Sequence, residues 1–157
     1  MRLRSAKEDD AEFLFKLRNE PAVRQSAFQT RPIPWSAHRQ WLKRALNDRN
    51  TVLLIAERRG KRQGQIRFSV NFPKKEAEVD IALTVESRGR GYGLRLLRRG
   101  CRLVFDRMPI HKILAFIKPD NAASLKIFSK AGFIRSSTVR RKKHPCVRMV
   151  LDSRGDI

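Results

Sequence analysis

The feature that most constrains this chain is a glycine-rich turn between a strand-like segment and a helix-like segment. The turn covers residues 85–93 and reads Val-Glu-Ser-Arg-Gly-Arg-Gly-Tyr-Gly. Residues before it alternate in polarity, whereas apolar residues after it recur at helical spacing. Glycines let the backbone approach a ligand closely, and the first N–H groups of a helix have no intrahelical acceptor. The segment therefore predicts an anion site, suited to phosphate, at a helix N-terminus.

Other interpretations of these glycines are weaker. A dinucleotide-binding fingerprint requires a third Gly or Ala, but the corresponding positions are Leu94 and Leu96. The Gly-Lys-Ser/Thr tripeptide of a Walker loop does not occur in the sequence. Arginine-glycine segments that bind RNA are disordered and repeated, whereas this one is single and framed by apolar periodicity. A tight strand-to-helix turn without a ligand is the structural alternative.

Charge is the second unusual feature. The 36 Lys and Arg residues outnumber the 15 Asp and Glu residues, which gives a formal net charge of +21. Residues 1–86 carry 18 basic and 11 acidic side chains (+7), and residues 87–157 carry 18 and 4 (+14). Such a field attracts any polyanion, so it admits nucleic acid as a partner without selecting it. A solvated basic surface is an equally good interpretation.

Length and hydropathy bound the class of protein. A chain of 157 residues, 41% of them hydrophobic, fits one folded domain over residues 1–157. No segment approaches the roughly 20 apolar residues that span a bilayer, and the N-terminus lacks the apolar region of a signal peptide. We therefore expect a cytoplasmic protein without membrane insertion. Cys101 and Cys146 are predicted to be buried thiols, and nothing in the sequence suggests a metal site.

The first half predicts a strand, two helices and a three-stranded antiparallel meander. The segment rich in proline, residues 20–34, is predicted to be a loop that lies near a pocket. Ser36 is predicted to be the N-cap of the second helix. The predicted bounds are 2–6 for the strand, 8–19 and 36–47 for the helices, and 51–56, 65–72 and 77–85 for the meander, with turns at 60–64 and 71–75.

The second half predicts a longer helix, a strand, a shorter helix and two closing strands. The longer helix carries an apolar stripe from Leu94 to Phe105 and ends at Met108-Pro109. The shorter helix is opened by Asn121 and ended by Gly132. The predicted strands are residues 113–117, 133–134 and 147–151, with a basic turn at 140–145 between the last two.

These elements and motifs resemble one known superfamily. The sequence combines Arg88-x-x-Gly91-x-Gly93 after a strand, Asn121-x-x-Ser124 at a helix start, and Lys130-Ala131-Gly132-Phe133 at its end. In this order and separation they resemble the GNAT superfamily of acetyl-CoA-dependent N-acetyltransferases over nearly the whole chain. The resemblance implies an α/β (α+β) fold. Its central sheet would be mixed, mostly antiparallel and twisted, with six or seven strands and about four flanking helices.

The resemblance also implies a site for acetyl-CoA. Backbone amides from Arg88 to Gly93 would hold the pyrophosphate of coenzyme A, and the strand that ends at Val85 would run beside its pantetheine arm. Asn121 and Ser124 match family positions that contact the cofactor. The residues alone also allow Asn121 to be a helix N-cap and Ser124 to be a capping or solvent-exposed hydroxyl. The implied set is Leu83, Thr84, Val85, Arg88, Gly89, Arg90, Gly91, Tyr92, Gly93, Asn121, Ser124 and Phe128.

The reaction implied by the resemblance is direct attack of an uncharged amine on the thioester carbonyl. It needs a base, an oxyanion donor and a proton for the thiolate. The donor is expected to be a backbone N–H between Leu83 and Val85. The base is expected to be Glu78 or Asp80, which share one strand face. Burial beside apolar neighbours would suit a carboxylate to this role, and simple pairing with arginines is the equal alternative.

One departure from the family pattern concerns the acid. Many relatives carry a tyrosine at the position of Phe128, and the single tyrosine here, Tyr92, lies in the glycine-rich turn. The thiolate is therefore expected to take a proton from water or from Ser124, or to leave unprotonated, because a thiol pKa near 8.5 makes it a tolerable leaving group.

The acceptor is predicted only broadly. Residues 17–24, 33–35 and 38–42 are similar to GNAT members that acetylate amino-sugar nucleotides, as in pseudaminic-acid-type pathways, and ribosomal-protein N-terminal acetyltransferases share part of the pattern. A small-molecule or peptide amine is therefore expected. A catalytically idle, nucleic-acid-binding version of the fold is the competing class, and both a monomer and a homodimer stay open.

Several side chains of the first half are candidates to bind this acceptor. Basic residues suit an anionic one, and the two tryptophans either stack on a base or sugar or, as we favour, pack in the core. The candidates are Arg18, Arg24, Arg31, His38, Trp35 and Trp41.

Overall fold

The computed structural model describes residues 1–153. Short 3-10 helices occur at Glu8–Asp10 and Val85–Ser87. The strands are β1 Arg2–Ser5, β2 Thr51–Arg58, β3 Lys61–Asn71, β4 Glu76–Leu83, β5 Lys112–Ile117, β6 Ile134–Arg141 and β7 His144–Asp152. The α-helices are α1 Ala11–Asn19, α2 Pro21–Ser26, α3 Trp35–Asn47, α4 Tyr92–Arg107 and α5 Ala122–Lys130.

All seven strands form one sheet in the order β1-β2-β3-β4-β5-β7-β6. β4 and β5 run parallel, and the other neighbouring strands run antiparallel. This mixed, mostly antiparallel sheet confirms the predicted fold class. Five α-helices accompany it rather than about four, because the segment predicted to be a loop contains α2.

Each face of the sheet carries an apolar core. Side chains alternate along β2, so Leu54 and Ala56 belong to the larger core with α4 and α5, whereas Leu53 and Ile55 belong to a smaller core with α1 and α3. Gly100 lets α4 approach β3 closely, since a Cβ there would lie 2.5 Å from Cδ1 of Ile66. The two helical layers therefore define an α4–α5 face and an α1–α3 face.

One carboxylate and two thiols are buried within the fold. Asp10 is 1% exposed and accepts hydrogen bonds from Arg4, from the Lys7 N–H and from Arg62. Burial raises the pKa of Asp10, but these bonds outweigh burial and hold it at about 2. Cys101 and Cys146 are free and buried, as predicted, and burial raises the pKa of both thiols.

The predicted loop at residues 20–34 is partly wrong. Glu20 accepts a hydrogen bond from the Val23 N–H at 3.2 Å and so acts as the N-cap of α2, with Pro21 in the first turn. The side-chain amide of Asn19 makes two hydrogen bonds to the backbone of Ile33. It accepts from the Ile33 N–H at 2.7 Å and donates to the Ile33 carbonyl at 3.0 Å. A Glu-Pro pair was the local signal for this helix, and the absence of apolar periodicity hid it.

Other predicted boundaries also shift. Ser36 lies inside α3, whose N-cap is Pro34. The basic turn at 140–145 shrinks to Lys142 and Lys143, both with positive φ, because the residues on either side pair in the β6–β7 hairpin. The turn predicted at 60–64 is likewise shorter, since β3 begins at Lys61.

Within residues 1–153, no helix is both long and apolar enough to cross a membrane. The same range holds no group of three or more His, Cys, Asp or Glu side chains that could bind a metal ion.

Candidate active site

β4 and β5 are neighbours in the sheet, but they pair only near their N-terminal ends. Residues 76–78 lie opposite residues 112–114, and the part of the chain that the structure describes has no later pair in register between these strands. β4 continues to Leu83 and β5 to Ile117. The strands therefore separate toward their C-terminal ends and leave a cleft between them.

The β4 side of this cleft presents backbone hydrogen-bonding groups. Thr84 donates its N–H to the carbonyl of Gln63, on the β3 side, at 2.9 Å. Hydrogen-bonding directions alternate along an antiparallel strand, so the peptide groups of Val79, Ile81 and Leu83 face β5 instead. Within the predicted donor region, the Leu83 amide therefore faces the cleft and the Thr84 amide is already bonded elsewhere. Val85 begins a 3-10 helix, and its side chain is 56% exposed.

The glycine-rich turn follows at the end of this edge. Gly89 and Gly91 have φ values of 69° and 73°, in the left-handed region that favours glycine. A Cβ on either residue would meet no atom within 4 Å, so the surface above the turn is open. Arg95 donates its N–H to the Gly91 carbonyl at 3.3 Å, and the amides of residues 92–94 precede this ladder and have no intrahelical acceptor. The turn thus has the backbone geometry of an anion site.

Arg88 differs from the rest of the turn because it is bonded within the protein. Its Nη2 donates to Oε2 of Glu20 at 2.5 Å and to the carbonyl of Leu83 at 3.1 Å, and the bond from Arg88 lowers the pKa of Glu20. Its own N–H donates to the Val85 carbonyl at 3.2 Å. The predicted run of amides open to a ligand therefore begins at Gly89 rather than at Arg88.

The remaining turn residues complete the start of α4. Arg90 is exposed, and Tyr92 is half-buried with the Arg58 guanidinium 5.6 Å from its ring centroid. Gly93 is buried, and a Cβ there would lie 3.1 Å from Cδ1 of Ile127 and 3.5 Å from Cδ1 of Leu83. This close packing sets the start of α4 against the end of β4.

Asn121, Ser124 and Phe128 lie on the other side of the cleft, after β5. Asn121 is the N-cap of α5 and accepts the Ser124 N–H at 3.2 Å, which confirms its capping role. Phe128 is 4% exposed, and its ring centroid lies 4.9 Å from that of Phe133 in an edge-to-face contact. Ser124 lies four residues before Phe128 and therefore on the same helix face, where its half-buried side chain offers a hydroxyl.

The two candidate bases are less buried than expected. The carboxylate of Glu78 is 38% exposed and accepts both guanidinium Nη groups of Arg141. The carboxylate of Asp80 is 56% exposed and accepts from Nε2 of Gln65 at 2.9 Å.

Of the two alternatives, burial and pairing with arginines, the structure favours pairing, since Glu78 pairs with Arg141 and Oδ2 of Asp80 lies 3.9 Å from Nη2 of Arg67. The smaller apolar core is built on Ala6 and β2 with α1 and α3 and does not reach this part of β4.

The segment around α2 crosses the open end of the cleft. Glu20, at the start of α2, binds Arg88 after β4, and Lys118, after β5, donates its Nζ to the Gln25 carbonyl at 2.7 Å. α2 therefore bridges the C-terminal ends of the two separated strands. Arg24 supports the next residues by donating to the carbonyls of Asn19 at 3.1 Å and Thr30 at 3.3 Å.

Arg31 lies in the segment that follows α2. It is exposed and lines a shallow depression together with Phe28, Gln29, Thr30 and Lys142 of the β6–β7 turn. The turn between the closing strands thus reaches the segment that sequence reasoning assigned to the acceptor.

His38 was predicted to bind the acceptor, but its ring is not accessible to one. The ring is fully buried, and Nε2 lies 2.8 Å from the carbonyl of Ala11, which can only accept. Nδ1 therefore accepts from Nη1 of Arg18, at 3.3 Å. Burial lowers the pKa of His38, the bond to Ala11 opposes this, and the charge of Arg18 lowers it further. His38 is thus a neutral residue that positions Arg18.

The two tryptophans behave differently from each other. Trp35 is 42% exposed and contacts Phe15 edge-to-face with ring centroids 5.1 Å apart, so core packing is wrong for this residue. Trp41 is half-buried, and the Arg18 guanidinium lies 4.0 Å from its ring centroid.

Sequence reasoning missed Arg67. This residue lies on β3 opposite Asp80 of β4, and its guanidinium is 5.5 Å from the ring centroid of Trp41. The signal was present, because Gln65 and Arg67 put polar groups on a strand face that also faces helices α1 and α3.

Comparisons with known proteins agree with this geometry. A family model described as an acetyltransferase (GNAT) domain matches residues 1–134. The chain is 31% identical over 139 residues to a putative phosphinothricin acetyltransferase of Bacillus subtilis (strain 168), covering 85% of this chain and 83% of that protein.

Solved structures share the fold. A spermidine N-acetyltransferase from Vibrio cholerae in complex with CoA and spermine superposes with a TM-score of 0.87 at 18% identity, covering 96% of this chain and 94% of that one. An aminoglycoside acetyltransferase in complex with coenzyme A superposes with a TM-score of 0.84 at 23% identity, with the same coverage of 96% and 94%.

Proposed function

The chain belongs to the GNAT family of acetyl-CoA-dependent acetyltransferases, and we propose that its β4–β5 cleft transfers the acetyl group to a primary amine of a small molecule. One observation supports this proposal above the others. The unpaired edge of β4 leads directly into a turn whose glycines leave open space above free helix N-terminal amides.

The residues of the cleft fit coenzyme A. The chain at the end of β4, from Leu83 to Val85, suits the pantetheine arm, because that arm must extend from the pyrophosphate at the turn to a thioester at the Leu83 N–H, beside an open strand edge. The amides of residues 89–94 suit a pyrophosphate, since helix N-termini favour negative charge. Bound acetyl-CoA would supply a thioester, whose carbonyl is the electrophile.

Within this site we assign roles to three groups. The N–H of Leu83 faces the cleft and is the proposed donor to the developing oxyanion. Asp80 is the proposed base, because both oxygens of Glu78 are bonded to Arg141 and Asp80 lies nearer the C-terminal end of β4. The hydroxyl of Ser124 is the proposed proton source for the leaving thiolate, since Phe128 has none.

For the acceptor we propose an amine on a nucleotide-linked sugar, on the resemblance of residues 17–24 and 33–42 to that branch of the superfamily. An acetylation screen tests this choice directly. It should include UDP-glucosamine together with the amines that relatives are named for, namely phosphinothricin, spermidine and kanamycin. Faster acetylation of any of these three than of the sugar nucleotide would contradict the proposed acceptor.

Calorimetry with acetyl-CoA tests the cofactor site. Replacing Gly91 with Val places a branched side chain in the open space above the turn, so we expect binding to fall below detection. Gly60→Val is the matched control, because Gly60 has φ +75°, also has no atom within 4 Å of a Cβ, and lies in the β2–β3 turn. Both variants carry similar backbone strain. Equal binding by Gly91→Val and Gly60→Val would refute the site.

A further inference from the structure

The α1–α3 face carries a pair of guanidinium groups that the proposed transfer reaction does not use. Resting on that proposed function, we infer that Arg18 and Arg67, held against Trp41, recognise an oxyanion on the acceptor, either a phosphoryl or a carboxylate group. The acceptor class is therefore an amine that also carries negative charge.

Four elements bring this pair together. Arg18 comes from the last turn of α1, Trp41 from α3, and Arg67 from β3. The Arg18 and Arg67 guanidinium carbons lie 4.0 and 5.5 Å from the centroid of the Trp41 ring. Asp80 on β4 lies directly opposite Arg67 in the sheet, so the pair adjoins the proposed base.

The local charge is not balanced by the protein. Among residues 1–153, no carboxylate lies within 4.0 Å of the Arg18 guanidinium, and its hydrogen-bond partner is the neutral ring of His38. Burial lowers the pKa of Arg18 to about 10, the nearby Arg67 lowers it as well, and Asp80 opposes both. Two guanidinium groups and one half-exposed carboxylate leave a net positive site. Arg18 is a partly buried charge without a counter-ion of its own among the described residues, which is costly, and an anionic ligand would offset that cost.

Arg67 pairs only loosely with Asp80, so its donors can still serve such a ligand. Nη2 of Arg67 lies 3.9 Å from Oδ2 of Asp80, which is within ion-pair range but beyond hydrogen-bond distance. Asp80 instead accepts from Gln65 at 2.9 Å. A guanidinium fork matches the geometry of carboxylate and phosphate oxygens, so two neighbouring guanidinium groups favour an oxyanion.

The same geometry opposes a polycation. An acceptor such as spermidine or kanamycin would place ammonium groups beside Arg18 and Arg67, where Asp80 is the carboxylate that acts on Arg18. An amine with a nearby oxyanion complements both charges of the site, because its ammonium can face the Asp80 carboxylate while its oxyanion faces the two arginines. Trp41 and His38 keep the Arg18 head group in place before the acceptor arrives.

Paired acceptors test this inference. Initial rates are measured for glucosamine 6-phosphate against glucosamine, UDP-glucosamine against glucosamine, and L-alanine against L-alaninamide, with spermidine and kanamycin as polycations. We expect the anionic member of at least one pair to have a roughly 10- to 100-fold higher kcat/KM, carried by KM, as for a charge-assisted hydrogen bond. The pair that responds tells whether the oxyanion is phosphoryl, nucleotide-linked or carboxylate.

Variants link the preference to the site. Arg67→Gln should raise KM for the anionic acceptor about 10-fold or more and raise KM for its neutral partner much less, and Arg67→Lys should restore part of the loss. Arg44→Gln is the control, because Arg44 is exposed on α3 and the substitution removes the same charge. A preference that is absent, is reversed toward polycations, or falls equally in Arg44→Gln would overturn the inference.

Binding without turnover separates this inference from the proposed function. If the chain acetylates none of these amines, the proposed function fails, and calorimetric titration with glucosamine 6-phosphate, UDP-glucosamine and L-alanine still tests the arginine pair. Binding of one of them that weakens in Arg67→Gln but not in Arg44→Gln would support the inference. Absence of binding, or equal weakening in both variants, would overturn it.

Discussion

The proposed cofactor side and the proposed acceptor side of the site are built from different parts of the chain. The cofactor side would use mainly backbone groups, from the edge of β4 through the turn at residues 89–93. The acceptor side would use side chains from α1, α3, β3 and β4, with Arg18 and Arg67 at Trp41 and Asp80 opposite Arg67. A backbone site depends on glycines and strand ends and tolerates many side chains. A side-chain site depends on the identity of a few residues, so acceptor choice can change while the donor site is kept.

The largest loss of kcat should come from replacing Asp80, the proposed base, which would act where the acceptor amine meets the thioester. Asp80→Asn removes the proposed base, so we expect kcat at neutral pH to fall roughly 100- to 10,000-fold, with little change in the KM for acetyl-CoA. Glu78→Gln should lower kcat much less, because its carboxylate already binds Arg141. Steady-state kinetics compare the two variants. A larger loss of kcat in Glu78→Gln would exchange the assigned roles.

A smaller effect is expected at Phe128, on the cofactor side. Phe128→Tyr adds a hydroxyl to a buried ring, so unfolding in urea should show a loss of about 1–3 kcal/mol and kcat should not rise. Phe133→Tyr is the matched control, since Phe133 is 3% exposed and packs against Phe128. A large gain in kcat confined to Phe128→Tyr would show that the reaction lacked an acid.

The smallest effect is expected on folding stability, through the titration of His38 on the acceptor side. Because the pKa of His38 lies below its ordinary value near 6.5, the unfolded chain binds the proton first as pH falls. This contribution to stability is complete above about pH 6.5 and decreases below it, at no more than about 1.4 kcal/mol per pH unit for one proton.

Thermal unfolding between pH 7.5 and 5 measures this dependence. His38→Gln should remove it, because an amide can donate to the Ala11 carbonyl without titrating. Asp10 interferes little, because its contribution to stability is lost mainly as pH falls from its unfolded pKa of 3.8 toward its folded pKa of about 2. A pH dependence that is the same in the variant would show that His38 does not titrate in this way.

The same difference between the two sides explains what the sequence could predict. The strand before residue 85, the glycines and the capping Asn121 are local signals, and they located the sheet, the turn and the start of α5 correctly. The alternation along β3 marks Arg67 as a polar residue on a helix-facing strand face, but its partner Trp41 is more than 20 residues away, so the contact itself is not a local signal. The burial of His38 was not predictable for the same reason, because it depends on the packing of α1 against α3.

Backbone amide NMR during titration with acetyl-CoA tests the proposed cofactor site. We expect the amide signals of Gly89, Gly91 and Gly93 to shift or broaden together with those of Ile81 and Leu83, while the signal of Gly60 stays in place. Changes confined to the basic turn at residues 140–143, or spread evenly over the surface, would contradict a cofactor site made by the β4 edge and the glycine-rich turn.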